Sequence, residues 1–93
     1  MNQDKIKPLL ESLDLKITDS WQTIHIIPTK DLKSANRVMC YYHTFKYQNI
    51  TYCVSGDGIS YIFSDENGNY YYQGYYILEL EEEINKVINW VIQ

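Results

Sequence analysis

Ninety-three residues with a net charge of −4 make a short acidic chain, long enough for one domain over residues 1–93 and too short for a second. The acidic balance disfavours direct binding to a nucleic-acid backbone, and no apolar run approaches the ~18 residues of a membrane span. Met1 begins a polar, amphipathic stretch rather than a basic-then-apolar leader, so a soluble, cytoplasmic protein is the expectation.

The charge is unevenly spread. Lys5, Lys7, Lys16, Lys30, Lys33, Arg37 and Lys46 outnumber Asp4, Glu11, Asp14, Asp19 and Asp31 in residues 1–50, whereas Lys86 alone faces Asp57, Asp65, Glu66, Glu79, Glu81, Glu82 and Glu83 in the rest. Such polarity points to a basic protein partner or a charge-polarised surface.

Residues 4–14 carry Ile6, Leu9, Leu10 and Leu13 at helical spacing, with Pro8 tolerated only in a first turn. Residues 21–27 are rich in β-branched and aromatic types and predict a strand ended by Pro28. The polar connection 29–37 is long enough to leave that strand's place in the sheet open. Residues 38–80 then hold all ten tyrosines and both phenylalanines, broken at Gln48-Asn49, Asp57-Gly58 and Asn67-Gly68. The last two pairs suit two-residue hairpin turns; Gln48-Asn49 is a weaker signal that leaves room for a longer loop, and each is taken as a two-residue loop. Ile77, Leu80, Ile84, Val87, Ile88 and Val91 mark a C-terminal helix, after a last strand that the alternation Tyr76, Leu78, Leu80 allows to run on. The assembled expectation is an α+β two-layer sandwich: an antiparallel meander of four to five strands, covered on one face by N- and C-terminal helices.

Two-residue loops fix which side chains share a face. They set Val54 opposite Tyr61, Tyr52 opposite Phe63, Phe63 opposite Tyr72, Ile59 opposite Tyr76 and Gly74 opposite Tyr61, where a neighbouring ring or a bulge would cover the glycine. Met39, Tyr41, His43, Phe45, Tyr47 and Ile50 then look inward. Cys40, Tyr42, Thr44, Lys46, Thr51, Cys53, Ser55, Ser60, Ile62, Ser64, Tyr71, Gln73 and Tyr75 look outward onto a half-wet face.

Chemistry is poorly served. His25 and His43 are the only imidazoles, and His43 is expected as a hydrogen-bonded core residue. Cys40 and Cys53, on one face but two pairs out of step, are expected as free thiols. No Cys or His spacing suits a metal, and residues 65–69 lack the later ligands of a calcium loop, so no cofactor is expected. Ten tyrosines against two phenylalanines imply that the hydroxyl is wanted, as it is where a surface both packs and hydrogen-bonds. The function expected is a non-enzymatic protein-binding module, of the kind found in inhibitors of basic enzymes such as nucleases and in immunity proteins of mobile elements. Its contact residues would be Tyr42, Ile62, Tyr71, Gln73 and Tyr75 on the sheet and Glu79, Glu81, Glu82 and Glu83 at the helix start. The alternatives are a homo-oligomer paired through Tyr42, Ile62, Tyr71 and Tyr75, and a small-ligand binder or enzyme using His43 in a pocket between sheet and helices.

Overall fold

The computed structural model describes residues 3–28 and 35–89. Lys30 and Lys33 in the polar connection, and Val91 of the helical stripe, lie outside them. Helix α1 (Ile6–Ser12) leads into strands β1 (Ile17–Pro28), β2 (Ala35–Tyr47), β3 (Ile50–Gly56), β4 (Tyr61–Asp65) and β5 (Tyr70–Gly74), and helix α2 (Ile77–Asn89) follows. The strands form one antiparallel sheet in the order β1-β2-β3-β4-β5, with both helices against one face: the α+β two-layer sandwich. Among these residues no helix is long and apolar enough to cross a membrane.

Helix α1 is shorter than its apolar stripe, because Pro8 sits in its first turn and the chain turns left-handed at Asp14, whose φ is 61°. The Asp4 carboxylate accepts from the N–H groups of Ile6 (3.0 Å) and Lys7 (3.2 Å), satisfying donors that a helix start leaves free. At the other end Asp14 N–H donates to Glu11 O and Leu15 N–H to Leu10 O, both at 3.0 Å, the 5→2 and 6→1 bonds that close a helix.

The core is aromatic at its centre. Phe45, Phe63, Val54, Ile6, Leu10, Leu80 and Ile84 are fully buried, and the Phe45 ring lies 5.2 Å from Tyr52 and 6.1 Å from Phe63. Leu10 and Ile6 of α1 close it over β1 to β3, while Leu80 and Ile84 of α2 close it over β4 and β5. The Tyr47 hydroxyl donates to Ile88 O (2.6 Å), fastening the end of β2 to the last turn of α2.

The loops depart from the expected ones in an instructive way. Gln48 and Asn49 do form the two-residue turn, both left-handed at φ 51° and 67°, between the paired Tyr47 and Ile50. Asp57-Gly58 does not. Asp57 accepts from Ile59 N–H (2.9 Å) and Ser60 N–H (2.8 Å), which widens the loop to residues 57–60 and pairs Gly56 with Tyr61, Val54 with Phe63 and Tyr52 with Asp65. Each partner is two residues from the expected one, so every side chain keeps its face. Strand β5 ends at Gly74, hence Ile59 has no partner in Tyr76 and the chain goes directly into α2.

A bulge in β5 overturns one placement. Phe63 pairs with Tyr72 but Ser64 pairs with Tyr70, leaving Tyr71 as an extra residue. Its ring therefore turns inward, 5.2 Å from Phe63 and 5.7 Å from Tyr52, and Tyr70 takes the outward place. The hydroxyl of Tyr71 donates to Asp65 (2.6 Å), which also accepts from Asn67 N–H (2.8 Å), Asn69 N–H (3.0 Å) and Asn69 Nδ2 (3.0 Å). Gly74 pairs with Tyr61 as expected, and the ring that covers it is that of Tyr72, whose hydroxyl accepts from Tyr76 N–H (3.1 Å) and donates to Glu79 (3.0 Å).

Two substitutions check these turns. Asn49→Gly relieves a left-handed residue and should stabilise by about 0.5–1 kcal/mol, whereas Gly74→Ala drives a methyl into the Tyr72 hydroxyl and should cost about 1–3 kcal/mol. Urea denaturation of both against the parent chain gives the two signs.

The Asp65 knot also sets a pH window. Bonds from Tyr71 and Asn69 hold the Asp65 carboxyl at about 2, and the same carboxylate pushes the Tyr71 hydroxyl up to about 12. A depressed acid stabilises fully above its unfolded value of about 4 and less as pH falls towards 2; a raised phenol stabilises fully below about 10 and less as pH climbs towards 12. Melting temperature should fall at both ends, and Tyr71→Phe should lower the neutral plateau, flatten the alkaline shoulder and shrink the acid one, where the Asn67 and Asn69 bonds to Asp65 remain.

Candidate protein-binding face

Because both helices lie on the inner face, the outer face of the sheet is covered by side chains alone. Strand β2 contributes Tyr42, Cys40, Thr44 and Lys46, β3 contributes Cys53, Ser55 and Thr51, and β4 contributes Ile62 and Ser64, as the alternation requires. The register of β1 adds Trp21 opposite Tyr42 and His25 opposite Val38. Trp21 and Tyr42 stack with rings 5.2 Å apart and 3° from parallel. Their hairpin neighbours join in: the Tyr42 hydroxyl lies 3.5 Å from His25 Nε2.

Two grooves score this face. One, of about 420 Å³, is lined by Cys40, Cys53, Ser55, Ile62 and Ser64 together with His25, Tyr42 and Tyr70; the other, of about 360 Å³, is lined by Ser60, Tyr61, Ile62, Gln73, Gly74 and Tyr75. Ile62 lines both, so an apolar side chain stands at their junction. Along the grooves Tyr70 is 67% exposed and Tyr75 69%, and on β1, at the far side of the face, Trp21 is 44% exposed.

Of the residues expected here, Tyr42, Ile62, Gln73 and Tyr75 are on the face and Tyr71 is not, for the bulge has turned it into the core. Cys40 is also less open than expected: it is buried. Trp21 and Tyr70 are the residues that the sequence reading missed. A strand pairing for residues 21–27 would have found the first, and the Asp65, Asn67, Asn69 cluster that anchors the bulge is the signal for the second.

The four glutamates belong elsewhere. Helix α2 packs over β4 and β5 on the inner layer, and its Glu79 accepts from Tyr72 while Glu83 pairs with Lys86 at 2.9 Å. Glu82 is exposed and Glu81 half-buried. One partner surface laid flat on the outer tyrosines does not reach them.

Cys40 and Cys53 are free, and burial pushes the Cys53 thiol up, away from the thiolate that a nucleophile needs. Among the described residues no group of three His, Cys, Asp or Glu side chains is placed to hold a metal ion. On the inner face His43 is buried and bonded at both ring nitrogens, to Asp4 Oδ2 through Nε2 (2.6 Å) and to Ser20 Oγ through Nδ1 (2.7 Å). This chain has the order of a proton relay, and an open cleft of about 350 Å³ lined by Asp4, Lys7, Trp21 and Tyr41 adjoins it. Yet Asp4 is already the cap of α1, and the Ser20 N–H, the donor that would serve an oxyanion, is bonded to the Asp19 carboxylate at 2.9 Å. The histidine thus joins α1 to β1 and β2.

Comparison of the chain with protein-family models, with curated proteins and with solved structures gives no match. Replacing Asp4 with Asn, or His43 with Gln, should lower stability by about 1–3 kcal/mol by leaving a buried polar group short of its partner. Chemical denaturation reads the loss, and any activity or partner binding that the chain has should survive in the folded fraction.

Proposed function

We propose that this chain is a protein-binding module that seats its partner on the outer sheet face, acting by occlusion in the manner of an inhibitor or an immunity-type protein. The observation that carries the reading is a sheet face that neither helix covers, with Tyr70 and Tyr75 exposed along grooves that meet at Ile62 and Trp21 exposed at the β1 side of the same face. Large, stiff aromatic side chains with polar tips give much contact area for little lost side-chain freedom, and such residues dominate binding energies at protein interfaces.

The face carries few charges. Lys46 and Asp19 are the ionic residues that the register puts on it, so recognition there is by shape and aromatic contact, with the acidic helix contributing only long-range attraction to a basic partner. Occlusion needs no reacting group, in keeping with a Cys53 thiol pushed up by burial and a histidine bonded at both ring nitrogens.

The test is affinity capture from extracts of the native host, with the parent chain and variants as bait and mass spectrometry as the readout. A partner retained by the parent chain should be lost by Ile62→Glu/Tyr75→Ala and kept by Glu81→Lys/Glu82→Lys, with binding weakened at least about 30-fold by the first pair. Equal retention by the face variant would remove the outer face as the interface.

A further inference from the structure

The β1–β2 hairpin is longer than the sheet it joins. Strand β3 reaches β2 only as far as the Tyr41–Gly56 pair, so among the described residues β1 is the one strand beside residues 35–40 of β2, and residues 23–28 of β1 pair only with them. The overhang contributes to a molecule measuring 54 × 25 × 22 Å. A two-stranded ribbon is marginal in water, since it has no layer to bury its apolar side chains against.

Those side chains are present. Ile24 pairs with Met39 and Ile26 with Arg37, which puts both isoleucines on the inner face, beyond the stretch that α1 protects at Ser20 and His43. They are 59% and 64% exposed. The free edge of β1 beside them is also unguarded. Edge strands ordinarily resist pairing through lysines, inward charges or central prolines. In β1 the only side chain of fixed charge is Asp19, and the only proline is the terminal Pro28.

The charge distribution says what can approach. The acidic helix covers β4 and β5, and β1 is at the other edge of the sheet, so a chain of net charge −4 meets a copy of itself with least repulsion along β1. Apart from Arg37, which faces Ile26 from β2, the described side chains of this overhanging strip carry no fixed charge, so it suits a neutral strand, and a second copy supplies one. Antiparallel pairing about a two-fold axis satisfies the free backbone groups of both edges and brings Ile24 and Ile26 of the two chains to one side.

We propose that a second copy of this chain pairs along β1, joining two five-strand sheets into one of ten strands. The interface lies along the free edge of β1, separate from the outer-face grooves, which reach β1 only at His25 and stay open on each chain. The ribbon is thereby ordered by its own counterpart.

Light scattering behind size exclusion, run from low micromolar to millimolar chain, tests the pairing. The parent chain should reach twice the 11.1 kDa of one copy. Ile24→Lys/Ile26→Lys should move the association midpoint upward by about 100-fold or more, with an unchanged circular dichroism spectrum, and Ile59→Lys, at an equally exposed loop position, should leave it in place. A single-copy mass throughout overturns the proposal. So does a double mass that the β1 lysines leave intact or that Ile59→Lys disrupts equally, because the contact then lies elsewhere.

Discussion

Everything in this fold depends on the sheet having one covered side. With α1 over β1 to β3 and α2 over β4 and β5, alternate residues of each central strand are forced into a dry aromatic core and their neighbours into solvent. Phe45, Val54, Phe63 and Tyr52 go one way; Tyr42, Cys53, Ile62 and Gln73 go the other. Fold and candidate interface are consequences of the same constraint, since the residues that would bind are those that the core does not take.

That constraint is why much was legible in the amino-acid sequence. The alternation of apolar and polar residues gave strands, and hairpin parity gave faces, even where the loop at residues 57–60 is two residues longer than expected. A slip of two is silent to the faces, and a slip of one is not. Tyr71 shows the other case: one extra residue in β5 turned it from the surface to the core and promoted Tyr70 in its stead. Trp21 went unassigned for a different reason. Its own strand was recognised, but which strand lay beside it depends on a long-range pairing that local pattern does not encode.

Polar groups decide the details that apolar pattern leaves open. Asp65 gathers four donors and so fixes the bulge, Asp57 gathers the N–H groups of Ile59 and Ser60 and so lengthens its loop, and Asp4 both starts α1 and holds His43. In the sequence each resembles an ordinary turn or cap residue, because side-chain bonds to backbone a few positions away look alike whether they merely end an element or reshape it. The Ser20, His43 and Asp4 alignment makes the same point about chemistry, as three residues suited to a relay are spent on joining a helix to a sheet.

The overhanging ribbon gives strand β2 a divided loyalty. From Tyr41 to Phe45 it is braced on both flanks beneath the helices, while from Ala35 to Cys40 β1 is its one strand neighbour among the described residues. Backbone amides in the first half are released to solvent only when the whole domain opens; those in the second can fray on their own. One continuous strand therefore spans two tiers of protection, and the length of the ribbon is free to vary among such chains without disturbing the domain that carries it.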